Sequence, residues 1–351
     1  MSVASPQAGV PQLPGVDDAL TARVGEGMAA VATRLSAVVD HDDPFIAGAS
    51  GHLVAAGGKR FRPLLTLLAS EVGEGWNEQV VKAAVGVELT HLASLYHDDV
   101  MDEADLRRGV ESANARYGNA TAILVGDLLF GTASSVVADL GAEAVKIQAE
   151  TFVRLCAGQI RDDLQTGATP EEADRTVLAG DADDPAAVTA YLSILADKTG
   201  ALIATAARYG AMFGGCDAET VRTLTEYGER LGVVFQLADD LLDVASAADT
   251  SGKTPGTDLR EGKATLPVLY ARTSQDPADE RLLALTRGPI DHPDELAEAL
   301  ELLRAHPAMQ QARDHTTRLA DEARALLDGL CPGPAVDALR ALVDGVALRS
   351  S

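Results

Sequence analysis

The chain has 351 residues, 46% hydrophobic and 4% aromatic, with 53 acidic against 29 basic side chains and a net charge of −24. That apolar content supplies a sizeable core and excludes disorder throughout, and the acidic balance excludes nucleic acid as the expected partner. Cys156, Cys216 and Cys331 are too few and too scattered for a disulfide framework or a thiolate zinc site.

Residues 1–16 are rich in Pro, Gly and Ser and are expected to form a flexible leader; they lack the basic start and apolar core of a signal segment. A single all-helical domain is expected over residues 17–351. The pattern predicts a helix over Asp17–Val39, then a turn at HDDP in which Asp43 caps a second helix and Pro44 enters its first turn. GGKRFRP breaks the pattern before a short apolar helix, Pro63–Ser70. Helical spacing resumes over Asn77–Met101 and ends in HDDVMD; Arg107, Arg108 and Gly109 form a polar connection.

Ala120–Val137 reads as a buried helix and Ala142–Leu164 as another, followed by an acidic, breaker-rich exposed loop over residues 165–187. Helices are predicted over Val188–Tyr209 and Asp217–Val244, the latter with Val221, Leu224, Gly228, Leu231 and Phe235 on one inward stripe. GKTPGTDLREGK is a polar loop and TLPVLYA starts a further helix. Val336, Leu339, Val343 and Val346 share a face of the last helix. Alternating strand patterns of useful length are missing, so the expected class is all-α. No run reads as a membrane span, and a cytoplasmic location is expected.

Two carboxylate clusters carry the chemistry. DDVMD holds Asp98, Asp99 and Asp102; DDLLD holds Asp239, Asp240 and Asp243. The first and last acid of each are four residues apart, one helical turn, on the same face. Like charges so placed call for neutralisation, which Mg²⁺ would supply. Both clusters lie in apolar contexts, LASLYHDDVM and VVFQLADDLLDV, where uncompensated acids are costly. Their separation along the chain permits two helices facing across a cavity. Neither GGK nor SGK completes a P-loop pattern, so nucleotide hydrolysis is disfavoured.

GGKRFRP, HDDVMDEADLRRG, ADKTG, FQLADDLLDV and GKTPGTDLREGKATLP resemble, in the same order, the motifs of the trans-type polyprenyl diphosphate synthase family. The resemblance covers residues 45–275. It implies an isoprenoid synthase helical bundle around a central active-site cavity, a homodimer, and head-to-tail condensation of isopentenyl diphosphate with an allylic diphosphate. Several Mg²⁺ ions would bridge that allylic diphosphate to all six aspartates. Lys59, Arg62, His91 and Arg108 look like the isopentenyl diphosphate site, with Arg60 nearby. Arg107, Lys198, Lys253 and Lys263 would serve the allylic diphosphate; Thr199 and Gln236 would contact the reaction centre. His97 is expected to pack or to support its neighbours rather than to bind metal.

Ala93 and Ser94, five and four residues before Asp98, are small and leave the first turn open to a growing product, while Tyr96 points elsewhere. By resemblance this pattern implies an all-trans product of C30 or longer, as for quinone side chains. Geranylgeranyl diphosphate synthesis is the alternative, through a deeper floor on the Ala120–Val137 helix. A non-catalytic subunit of a heteromeric synthase and a class I terpene cyclase are the other readings, both disfavoured by the complete set of aspartates. Peripheral membrane contact would serve product release.

Overall fold

A computed structural model describes residues 17–164, 185–246 and 255–348. The leader, most of the acidic loop and Lys253 lie outside the described residues. Among the described residues the regular structure is helical, apart from a two-residue ladder pairing Leu106–Arg107 with Val110–Glu111. It divides into two compact units, each assembled from separate stretches. One takes residues 17–151, 202–228 and 327–341; the other takes residues 152–164, 185–201, 229–246, 255–326 and 342–348.

The first unit begins with Asp18–Val38, started by the Asp17 carboxylate accepting from the Leu20 amide, and buries Leu20, Val24, Val31 and Leu35 on one stripe. Asp43 accepts from the Phe45 and Ile46 amides at the head of Pro44–Ser50, with proline in its first turn as expected. Phe61–Ser70 is buried from Pro63 onward. The centre of this unit is Glu78–Met101, capped by Asn77 and apolar on most sides rather than on one stripe. Asn119–Ala138 packs along it. Their contact includes Gly126, where a Cβ would stand 2.3 Å from His97 Nε2.

The second unit holds Pro185–Leu195, the later part of Ala218–Ala245, Thr257–Glu261, Leu266–Arg272, Glu280–Leu285, Pro293–Ala305 and Pro307–Leu326. Ile194, Leu237, Leu241, Leu266 and Leu303 are among its buried core. The helix predicted over Val188–Tyr209 is divided: Ala196–Gly200 forms one wide π-helical turn before Ala201–Phe213. Such turns push backbone and side chains off the helical register, and they concentrate at functional sites. The polar loop expected over residues 252–263 contains the helix Thr257–Glu261, because Asp243 accepts from the Thr257 and Asp258 amides and supplies its missing acceptors.

Two helical stretches, Asn119–Ala138 and Ala187–Phe213, are long and apolar enough to cross a membrane by length and composition, which differs from the sequence expectation. More than half of the second is buried, as a core helix of a folded unit would be. Val336, Leu339, Val343 and Val346 are all buried, as predicted.

Candidate active site

In the first unit, a two-residue hairpin aims two arginines. Arg108 and Gly109 have φ of 55° and 79°, the paired left-handed conformation that closes the tightest antiparallel turns. A non-glycine residue there is strained, as are Arg60 (φ 46°) and Glu103 (φ 47°); all three flank the first Asp motif or the GGKRFRP break. The hairpin returns Arg107 to Asp99, with Nε 2.6 Å from Oδ1, and brings its guanidinium 3.8 Å from Asp102. Asp99 is wholly buried and accepts from the Ala113 amide as well, so its carboxylate fastens the hairpin to the helix. Asp98 is partly buried and Asp102 exposed, one turn apart at the helix end.

Beside them is a basic cluster whose counter-charges are Glu88 and the aspartates of the first motif. Burial lowers the Arg62 pKa to about 10; the nearby Arg108 adds to this, while Glu88 and Asp98 oppose it. The Arg62 Nε is buried with no hydrogen-bond partner. Arg108 donates to the carbonyls of Leu53 (3.1 Å) and Gly57, and burial lowers its pKa too. Burial and four arginines, 62, 108, 60 and 107, push His91 well below the usual histidine range, so its imidazole is neutral at pH 7. A cluster of basic side chains with a buried donor unused suits a dense anion. Lys59 stands exposed at its edge.

Arg60 is held by partners within the first unit. Its guanidinium is held 2.5 Å from the buried Glu88 and 2.9 Å from the Val54 carbonyl, so it is committed to the fold. Glu88 itself was missed by sequence reasoning, although it sits one turn before His91 on the same face. His97 behaves as expected, approaching the Ile123 carbonyl at 3.2 Å and packing on Phe130. Tyr96 is buried and donates to the Ala49 carbonyl at 2.5 Å. Ala93 is completely buried whereas Ser94 is partly exposed, so of the two small residues only Ser94 borders open space.

In the second unit the π turn meets DDLLD. Thr199 Oγ1 donates to Gln236 Oε1 (3.1 Å), Gln236 Nε2 donates to Asp240 Oδ1 (2.9 Å), and Tyr191 donates its hydroxyl to Asp240 Oδ2. The order fixes the Gln236 amide, because the flipped form would set its oxygen against a carboxylate. Burial raises the Asp240 pKa to about 6 against the help of Tyr191 and Gln236, and the charges of Asp162 and Asp239 raise it further. Burial and the neighbouring Asp240 and Asp243 also raise Asp258 well above the carboxylate range. Lys198 Nζ lies 2.5 Å from Asp162, and Lys263 lies 2.7 Å from Glu261 and 3.8 Å from Asp162. Burial opposes the charge of Lys263, but Asp162, Glu261 and Asp258 raise its pKa overall.

The π turn is locked from behind. Arg154 pairs with Asp197 (2.7 Å) and Glu229 (2.5 Å), and Arg161 with Asp197. A Cβ on Gly158 would stand 2.4 Å from the Lys198 amide nitrogen, so only glycine admits this approach. Tyr191 and Asp162 were missed in the sequence, where one reads as a core aromatic and the other as the end of a charged helix.

The donors fit a hard divalent cation. All are carboxylates, and in the second unit burial, with the charge of neighbouring carboxylates, resists ionisation of Asp240 and Asp258 in a way that a cation would relieve. Among the described residues no three His, Cys, Asp or Glu side chains converge into a ready-made cage. A hard cation such as Mg²⁺ commonly takes one or two carboxylates and completes its octahedron with water and substrate phosphate.

An all-α fold with a partly buried basic cluster and two aspartate motifs is what the resemblance to the helical prenyltransferases implies, and the comparisons establish that class. The polyprenyl synthetase family model matches residues 43–303. The chain is 45% identical over 334 residues to nonaprenyl diphosphate synthase of Mycobacterium tuberculosis, covering 95% of each. The crystal structure of geranylgeranyl pyrophosphate synthase from Corynebacterium glutamicum, complexed with calcium and isoprenyl diphosphate, matches with a TM-score of 0.82 and 40% identity over 95% of this chain and 98% of that one. Decaprenyl diphosphate synthase from Rhodobacter capsulatus matches with 0.83 and 31% identity over 95% and 99%. The chain belongs to the polyprenyl synthetase family; it is a trans-prenyltransferase with the isoprenoid synthase fold.

Proposed function

We propose that the protein elongates an allylic diphosphate with isopentenyl diphosphate in a Mg²⁺-dependent, head-to-tail reaction, giving an all-trans polyprenyl diphosphate of C30 or longer for quinone side chains. The observations that support this reading are, in the first unit, the buried Arg62 Nε without a hydrogen-bond partner near Arg108 and His91, and, in the second, the buried Asp240 joined to Tyr191 and Gln236 beside Lys198 and Lys263. The first suits a metal-free diphosphate, the second a diphosphate that arrives with metal.

Asp98, Asp99, Asp102, Asp239, Asp240 and Asp243 would hold the Mg²⁺ ions, with Asp99 and Asp243 already braced by Arg107 and by backbone amides. When bound, the ions would polarise the allylic diphosphate and weaken its C–O bond. Arg62, Arg108, Lys59 and the neutral His91 hold isopentenyl diphosphate. Arg107, Lys198 and Lys263 receive charge on the leaving diphosphate. As the allylic C–O bond breaks, the double bond of isopentenyl diphosphate attacks the allylic carbon, and a departing diphosphate oxygen takes the proton lost from the new chain. Thr199 donates its only hydroxyl proton to Gln236, so its oxygen lone pairs are available to the developing cation.

The 45% identity to a nonaprenyl synthase and the small, partly exposed Ser94 support a long product. The 40% identity to a geranylgeranyl synthase of known structure supports C20 as the second reading. A single domain over residues 17–351 is supported by a family match that runs through stretches of both units. A homodimer is supported by the exposed Ile123, Leu124 and Leu128 on one helix. Incubation with Mg²⁺, labelled isopentenyl diphosphate and C5 to C20 primers should give a ladder ending at C30 or above. A C20 endpoint supports the second reading. No extension of any primer by folded, metal-supplied protein refutes elongation by this chain alone.

A further inference from the structure

We infer that Asp162 is a positioning residue that serves as the resident counter-ion of Lys198 and Lys263, and that diphosphate must displace it to engage the two lysines. The inference rests on the function proposed above.

Asp162 is 8% exposed at the end of the Ala142–Asp163 helix, and one of its oxygens, Oδ2, faces both ammonium groups, at 2.5 Å from Lys198 and 3.8 Å from Lys263. The lysines come from different elements, the π turn and the segment after Thr257–Glu261. Among the described residues Asp162 is the carboxylate that pairs with both lysines; Glu261 pairs with Lys263. A carboxylate oxygen between two ammonium donors has the charge and the acceptor position that one diphosphate oxygen would take there. The backbone of Lys198 is fixed by the close approach of Gly158 and by the Arg154–Asp197–Arg161 clamp. Its ammonium therefore exchanges partners by side-chain rotation, with the turn held still.

The consequence has a sign that a purely supporting role would not share. A residue that only braces the lysines should weaken anion binding when it is removed. A competing anion should strengthen it, and should also speed release of product diphosphate while present. Removing one ion-pair competitor at a partly exposed site is expected to tighten binding by about fivefold, an effect that shrinks with salt.

The test compares wild type, Asp162→Asn and Asp162→Glu by calorimetry with inorganic diphosphate, without and with Mg²⁺, and by steady-state kinetics. Asp162→Asn should bind metal-free diphosphate about fivefold more tightly, show stronger product inhibition and a lower kcat, and leave KM for isopentenyl diphosphate unchanged. Asp162→Glu should restore wild-type binding. Equal or weaker diphosphate binding by Asp162→Asn overturns the inference. Should that variant fail to fold, carboxyl ¹³C NMR of wild type decides: diphosphate shifts the Asp162 signal if the pair is displaced, and an unmoved signal overturns the inference. Diphosphate binding with this pattern but no elongation by wild type would instead remove the proposed function and leave the counter-ion role standing.

Discussion

Replacing Glu88 by Gln tests whether one carboxylate holds the basic cluster together. Glu88 is 1% exposed and lies 2.5 Å from Arg60, and its charge also supports Arg62 and Arg108, both of which burial drives toward the neutral form. Removing one partner of a buried pair costs about 3–5 kcal/mol, because the other charge stays behind unpaired. Here the lower end applies: the Arg60 side chain is 13% exposed and keeps the Val54 carbonyl, so about 3 kcal/mol is expected. Urea unfolding followed by circular dichroism measures the loss. The double variant Glu88→Gln with Arg60→Met should recover at least half of it, since the stranded charge is gone. A loss below about 1 kcal/mol, or no recovery in the double variant, would falsify the reasoning, since exposed pairs fall in that range.

Other perturbations probe neighbouring steps. His91 should remain neutral well below pH 6.5 in an NMR titration, and a bound diphosphate should raise its pKa by offsetting the four arginines. Because its folded pKa is depressed, the unfolded chain takes up the proton first; stability should fall as pH drops below about 6.5, and a His91→Gln variant should lack that component. Gly158→Ala should lower stability by about 1–3 kcal/mol through overpacking against the π turn and reduce kcat at least tenfold, whereas wild-type kcat would show that the turn tolerates displacement. Ser94→Phe should shorten the product without loss of folding; Ala93→Phe should instead destabilise, because Ala93 is fully buried. An unchanged product length in Ser94→Phe would remove Ser94 from the wall of the product path.

Much of this protein was legible in its sequence because the signals were local. Asp17, Asp43 and Asn77 or their surroundings marked helix starts through short-range hydrogen bonds, and the turn-spaced aspartates announced two charged helix faces. The ordered motifs made the family plain. What the tertiary structure decided was which charges answer which. Arg60 and Arg62 are two residues apart and equally basic, yet one is bound to Glu88, 28 residues away, and the other keeps a buried donor unused. Asp240 and Asp243 look alike in DDLLD, but Asp240 is joined to Tyr191 and Gln236 while Asp243 caps a helix 14 residues later. Asp162, silent in the sequence, lies between two lysines that are 65 residues apart along the chain. Sequence patterns fix the period and the type of residue on a face; the balance of a buried charge depends on partners distant in sequence, and only packing assigns them.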